Sequence, residues 1–154
     1  MNSTDPEERV VSASREVSAP AHVVFELVAD PAHQPRWDGN DNLRAADAGQ
    51  RVRRVGTVFT TRLTSGAVRE NHVVEFQEGR LLAWCPAEPG QRPPGHLWRW
   101  ALVPVGERLT RVVHTYDWTE LTDEGRFDRA RATTSERLGA SLARLAALAE
   151  EAQG

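Results

Sequence analysis

The C-terminal stretch, residues 122–152, constrains the fold more than any other part of this sequence. Apolar or small residues recur there at steps of three or four, the period of an α-helix. They are Phe127, Ala130, Thr134, Leu138, Ser141, Leu145, Leu148 and Ala152, and the opposite face carries Arg129, Arg131, Glu136, Arg137, Arg144 and Glu150. The pattern predicts a one-sided helix of roughly 25 to 30 residues, about 40 Å long, which needs a wide apolar surface to pack against.

Both the start and the middle of this predicted helix carry local signals. Thr122 is a candidate N-cap, and Asp123 and Glu124 suit the positive end of the helix dipole. The middle is weaker, because residues 132–135 and Gly139 are small or poor helix formers. Two interpretations stay open: small residues let the helix approach a sheet closely, or they leave room for a ligand beneath it.

The rest of the chain predicts the surface on which this helix packs. A first strand, residues 10–17, precedes two short helices: one over residues 21–29, and one that starts at Asp30-Pro31, is limited by Pro35 and ends near Trp37. Alternating apolar residues and turn signals then predict strands over residues 43–47, 57–63, 69–77, 80–85, 96–103 and 109–118. Sequential hairpins favour a curved antiparallel sheet of about seven strands, with the long helix on its concave side, in the α+β class.

Composition narrows the class of protein. The 154 residues indicate one domain over residues 10–152, preceded by a flexible tail over residues 1–9. The net charge of −3 gives no electrostatic case for binding nucleic acid, and no apolar run reaches the ~18 residues of a membrane span. The first nine residues are polar and do not read as a signal peptide. The single cysteine, Cys85, fits a reducing cytoplasm, and the five histidines have no metal-ligand spacing.

Three segments carry a resemblance to a known family. They are VSAPAHVVFELVADPAHQPRWDG at residues 17–39, the Gly56-Thr57 pair that leads into a strand, and TRVVHTYDW at residues 110–118. In these segments the chain resembles the START-type helix-grip superfamily (SRPBCC), and within it the polyketide cyclase/dehydrase-like branch. The resemblance implies a helix-grip fold with a cavity between sheet and helix, a hydrophobic small-molecule ligand, no cofactor, and a monomer or homodimer. The scattered histidines and the lone Cys85 separately predict no metal site.

Strand alternation predicts which side chains face that cavity. The expected inner sets are Val112, His114, Tyr116 and Trp118; Trp98, Trp100 and Leu102; Leu82 and Trp84; His72, Val74 and Phe76; and Phe59, Thr61 and Leu63. The candidate ligand-binding residues are Trp84, Trp98, Trp100, Trp118, Phe59, Phe76, Val74 and Leu138. Any one of these aromatic residues is as readily explained as ordinary core.

His114, Tyr116 and His72 are the candidate catalytic residues. A neutral imidazole can remove an acidic proton from a polyketide-like chain, and the Tyr116 hydroxyl can donate a hydrogen bond to the enolate that forms. For His72 and His114, a structural histidine with satisfied hydrogen bonds is the commoner alternative.

Three functions therefore stay open. The first is binding of a lipophilic or aromatic small molecule. The second is a cofactor-independent polyketide cyclase or dehydratase. The third is a non-catalytic interaction module of the co-chaperone type. Such a module would present a surface groove and not a polar-lined cavity, so inward-facing histidine and tyrosine side chains disfavour it.

Overall fold

The fold is described from a computed structural model, which covers residues 7–152. Residues 1–6 of the predicted flexible tail lie outside the described part of the chain. Arg9, also assigned to that tail, has its guanidinium 4.6 Å from the Trp118 ring centre and 4.9 Å from that of Phe127. Its carbonyl accepts a hydrogen bond from the Trp118 N–H at 2.9 Å.

One antiparallel sheet of seven strands confirms the predicted architecture. The strands lie in the order β1-β7-β6-β5-β4-β3-β2. They are β1 Val10–Val17, β2 Leu43–Ala45, β3 Val58–Leu63, β4 Val68–Gln77, β5 Leu81–Ala87, β6 Leu97–Gly106 and β7 Leu109–Asp117. Each strand from β2 onward pairs with the next one along the chain, and β1 closes the far edge against β7.

Two short helices join β1 to β2, also as predicted. They are α1, Ala21–Ala29, and α2, Gln34–Trp37, with a 3₁₀ turn over Pro31–His33 between them. Asp30 caps that turn by accepting a hydrogen bond from the Ala32 N–H at 3.1 Å. Pro35 lies inside α2 near its start and does not limit it, because proline fits the first turn of a helix. The indole N–H of Trp37 donates to the Leu27 carbonyl at 2.8 Å and holds α2 against α1.

The prediction of one continuous C-terminal helix was wrong. The structure divides it into a 3₁₀ turn over Glu124–Arg126, helix α3 at Phe127–Ala132 and helix α4 at Ser135–Glu151. Asp123, not Thr122, caps the first turn, and Thr134 caps α4 through a 3.3 Å hydrogen bond from the Arg137 N–H. The break falls within the weak middle, because a threonine hydroxyl at Thr134 offers the backbone a non-helical alternative.

Helix α4 buries Leu138, Leu142, Leu145 and Ala149 against the sheet and the short helices. It also approaches the turn after α2 closely, where the Gly39 N–H donates to the Ser141 hydroxyl at 3.1 Å. A Cβ atom at Gly39 would lie 2.4 Å from the carbonyl carbon of Ala140, whereas a Cβ at Gly139 meets open space. Close packing here therefore depends on Gly39, and not on the glycine inside the helix.

A β-bulge overturns the predicted inner face of β4. The pairing of β4 with β5 shifts register between Val73 and Glu75, so Val74 is an extra residue and is 44% exposed. Before the bulge, His72 pairs with Val58 and Cys85 on the outer face, and Asn71 and Val73 are buried. After it, Phe76 turns inward and packs edge-on to Phe25 at 5.8 Å. His72 and Val74 therefore do not face the cavity.

The two glycines next to α4 give a matched test of this packing. Gly39→Ala is expected to lower the free energy of unfolding by ~1–3 kcal/mol, because backbone must move to admit the methyl group. Gly139→Ala is expected to raise it by ~0.5–1 kcal/mol, because alanine is the better helix former and the space is open. Urea denaturation followed by circular dichroism measures both. Equal effects of the two substitutions would contradict the close approach at Gly39.

Candidate functional site

A cavity of about 260 Å³ lies between the concave face of the sheet and the helices. Its inner walls come from β3 to β7, from α2 and from Leu138 and Ser141 of α4. Its rim is formed by the turn after α2, the α3–α4 junction, and the side chains of Arg69 and His96. The volume lies just below the ~300–1,000 Å³ typical of ligand pockets.

Five of the predicted site residues line this cavity. They are His114, Tyr116, Trp84, Trp98 and Leu138. The other six do not. His72 and Val74 face outward, and Trp100, Trp118, Phe59 and Phe76 lie elsewhere in the core.

Neighbouring side chains enclose three of these core aromatics. Trp100 is fully buried, with the Trp37 ring edge-on at 5.0 Å and His114 stacked on it at 3.7 Å. Phe59 lies behind Trp84 at 5.3 Å. Trp118 follows β7 and packs with Leu121, Ala130 and Phe127 in a second apolar cluster. Large rings fill the inside of a sheet efficiently, so most of these residues build the core that surrounds the space.

His114 is held as a neutral imidazole. Its Nδ1 lies 3.1 Å from the Arg99 carbonyl oxygen, which can only accept, so the proton is on Nδ1 and Nε2 carries a lone pair. The ring is nearly parallel to the indoles of Trp100 and Trp98, with centroids 3.7 Å and 5.6 Å away. Burial lowers the pKa of His114 to about 3, and the Arg99 hydrogen bond opposes this shift. Among residues 7–152, the hydrogen bond of this ring is made by Nδ1, and Nε2 has no partner.

Tyr116 and His96 lie side by side, toward the rim. Their ring centres are 6.0 Å apart, and Trp98 lies 4.5 Å from Tyr116. Burial raises the pKa of Tyr116 to about 12, with nearby Arg129 and Arg126 opposing the rise. Burial lowers the pKa of His96 to about 4, and Arg126, Arg69 and Arg129 add to that shift. The Tyr116 hydroxyl is therefore a neutral hydrogen-bond donor at physiological pH.

Further polar groups converge on the inner wall. The Asn71 amide donates to the Phe59 carbonyl at 3.2 Å and to the Thr61 hydroxyl at 3.1 Å, which leaves its oxygen as an acceptor. The buried Gln34 side chain has an amide nitrogen without a partner in the described part of the chain. A mainly aromatic wall with a few convergent polar groups is typical of small-molecule sites.

Sequence reasoning missed much of the cavity lining. Trp37 was placed at the end of α2 but not in the site, although the helix register turns it toward the sheet. Arg69 and Asn71 were missed because the bulge in β4 inverts the alternation before Val73. Arg129 and Arg137 were assigned to the solvent face of one continuous helix, and the break at residues 133–134 brings both to the rim.

The rim carries more positive than negative charge. Arg69, Arg129 and Arg137 line the cavity, and the one carboxylate in its lining is Asp38. Asp38 already accepts hydrogen bonds from the backbone N–H groups of Asn40, Asn42 and Leu43 at 3.1, 2.6 and 2.7 Å. Burial, followed by the charges of Arg126 and Arg129, lowers the pKa of Arg69.

The family described as polyketide cyclase / dehydrase and lipid transport matches residues 8–150. The chain therefore belongs to that family, and the predicted membership of the SRPBCC polyketide cyclase-like branch is confirmed. Within the described residues, no helix has both the length and the apolar character needed to cross a membrane.

Among curated proteins, the chain is similar to Rv0088, an uncharacterized protein of Mycobacterium tuberculosis strain H37Rv. The two are 32% identical over 111 residues, which make up 70% of this chain and 47% of Rv0088. The chain thus spans about half the length of the curated relatives it matches.

Solved structures support the helix-grip fold. Protein NE0264 of Nitrosomonas europaea has a TM-score of 0.69 at 17% identity, over 94% of this chain and 96% of that chain. The Aha1 dimer of Colwellia psychrerythraea has a TM-score of 0.65 at 19% identity, over 94% and 98%. At these identities the likeness concerns the fold alone.

The lowered pKa of His114 predicts a pH dependence of stability. The unfolded chain takes up a proton below pH ~6.5 and the folded protein does not, so stability is complete above that pH and falls as pH decreases. The slope for one proton is about 1.4 kcal/mol per pH unit. His114→Asn keeps an N–H for the Arg99 carbonyl but cannot titrate, so its stability is expected to fall less steeply between pH 6.5 and 5.

Chemical denaturation at several pH values measures the difference between the two proteins. The other histidines are present in both proteins, so their contributions to the pH dependence cancel in the comparison. This includes His96, whose pKa is also lowered. Parallel stability curves, or a His114 ring proton that titrates near pH 6.5 in nuclear magnetic resonance spectra, would contradict the buried neutral imidazole.

Proposed function

We propose that this protein binds a small aromatic or lipophilic molecule in the cavity between the sheet and α4. The observation that carries the proposal is the lining of this cavity. Indole rings of Trp37, Trp84 and Trp98 form apolar walls. His114 and Tyr116 line the same space, and neither His114 Nε2 nor the Tyr116 hydroxyl has a protein hydrogen-bond partner among the described residues. Apolar walls supply binding free energy, and a ligand that pairs the buried polar atoms offsets their desolvation.

The cavity sets a size limit on the ligand. At about 260 Å³ it suits a compound of one or two rings better than a long acyl chain or a full polyketide. A longer ligand would have to extend past the rim at the α3–α4 junction.

The chemistry of His114 supports binding ahead of cyclisation. A general base works best when its pKa lies near the working pH. With a pKa of about 3, the imidazole of His114 is a weak base, although it remains a good hydrogen-bond acceptor. Cyclase or dehydratase activity that uses His114 and Tyr116 is therefore the second candidate, and it requires a substrate proton that is already acidic.

An interaction module of the co-chaperone type is the third candidate. Its main support is the shared fold with the Aha1 dimer, and a shared fold does not carry function. A cavity whose polar groups are deeply buried favours a small molecule over a protein surface.

Tryptophan fluorescence tests the binding proposal. A panel of one- and two-ring compounds is expected to include members that quench the emission saturably. Trp98→Phe is expected to reduce the amplitude of quenching, because Trp98 lines the cavity. Trp118→Phe is the matched control and is expected to leave it unchanged, because Trp118 does not line the cavity.

Isothermal titration calorimetry on the same compounds gives affinity independently of fluorescence, and burial of apolar surface predicts a negative heat-capacity change on binding. A panel without saturable binding would overturn the proposal. So would a Trp118→Phe variant that loses as much quenching as Trp98→Phe, because the ligand would then lie elsewhere.

A further inference from the structure

The rim of the cavity differs in charge from the rest of the protein. The chain has a formal net charge of −3, yet three arginines and one aspartate are the charged residues of the cavity lining apart from histidine. Arg69 extends from β4, Arg129 from α3 and Arg137 from the first turn of α4. Three separate elements thus bring positive charge to one opening.

These arginines have few protein partners. Arg51, Arg99, Arg126 and Arg131 each form an ion pair with a carboxylate. Over residues 7–152, no such pair forms at Arg69, Arg129 or Arg137, and Arg69 donates only to the Val68 carbonyl, at 3.1 Å. Unpaired arginines also occur elsewhere on the surface, but these three differ from them in surrounding one cavity.

Three of the carboxylates near the rim are already engaged. Asp38 accepts three backbone hydrogen bonds, Glu88 pairs with Arg126 at 3.6 Å, and Glu70 accepts from the Gly90 N–H at 2.8 Å. None of them neutralises the rim arginines by direct contact. Arg69 is also half-buried, so water stabilises its charge less than that of a surface arginine.

We propose that the ligand is an organic anion, with its aromatic or lipophilic body in the cavity and a carboxylate at the rim between Arg69, Arg129 and Arg137. This inference depends on the binding function proposed above and names the class of ligand. A guanidinium group matches a carboxylate through two parallel hydrogen bonds, which are stronger when both partners are charged. The neutral inner end, with His114 and Tyr116, accepts no charge and receives the apolar body.

Three naphthalene compounds of the same shape test the charge preference: the carboxylate, the carboxamide and the methylammonium derivative. Calorimetry at pH 7 is expected to show the carboxylate binding at least ~10-fold more tightly than the carboxamide, and the cation most weakly. Raising the salt concentration is expected to weaken binding of the carboxylate and leave binding of the carboxamide unchanged, because salt screens exposed charges. This salt series uses the unmodified protein and needs no variant to fold.

A matched pair of variants locates the effect. In the triple variant Arg69→Gln, Arg129→Gln and Arg137→Gln, the preference for carboxylate over carboxamide is expected to fall to ~2-fold or less. The control variant carries Arg53→Gln, Arg62→Gln and Arg108→Gln, three exposed positions outside the cavity lining, and changes the net charge equally. It is expected to keep the preference.

The possible failures are distinguishable. If carboxylate and carboxamide bind equally, the anion preference is wrong and the binding function stands. If the control variant loses the preference as much as the triple variant does, overall charge explains it and the rim site is wrong. If none of the three compounds binds, both the anion preference and the proposed function are overturned.

Discussion

The structure depends on a mismatch of width between the sheet and the helix that covers it. Seven strands at a spacing of ~4.8 Å span ~29 Å between the outermost axes, whereas one helix with its side chains is only ~10–12 Å across. Helix α4 makes its most extensive contacts with the edge formed by β1 and β7, and α1 and α2 cover part of the remainder. What they leave uncovered, between the inner strands and the α3–α4 junction, is the cavity.

That uncovered area explains the mixed character of the lining. Where α1 and α4 cover the sheet, its inner face is closed by Phe25, Leu82 and Leu145, which are fully buried in a continuous core. At the cavity, a space separates the sheet from α2 and α4, and polar side chains such as His114, Tyr116 and Asn71 occupy equivalent inward positions. Burial lowers the pKa of His114 and raises the pKa of Tyr116, so both side chains are neutral at physiological pH. The inner end of the cavity is therefore polar without being charged. Charge is confined to the rim, where arginine side chains reach water.

Local sequence signals predicted most of the strands and helices, but they predicted poorly which way individual side chains face. The turn at Gly79 and the hairpins around it set the order of the strands, so the sheet could be anticipated from alternation. The bulge at Val73 to Glu75 has no comparable local signature, because an extra residue becomes apparent only when one strand is paired against its neighbour. Because of this bulge, His72 faces outward and not inward as expected, and Arg69 and Asn71 line the cavity although alternation did not predict it. The break at residues 133–134 similarly moved Arg129 and Arg137 to the rim, although the weak residues there were visible.

The sequence by itself determined the family, the α+β class, the order of strands and helices, and the inward alternation of β6 and β7 that brings Trp98, His114 and Tyr116 to one face. These features follow from short-range periodicity and turn chemistry, which each segment carries independently. Only the tertiary structure decided which inward residues became core and which lined a space. Trp100 and Trp98 have the same residue type and the same strand face, yet the former is enclosed by Trp37 and His114 and the latter borders the cavity. That distinction depends on where the helices cover the sheet, which is set by contacts between residues far apart in the chain.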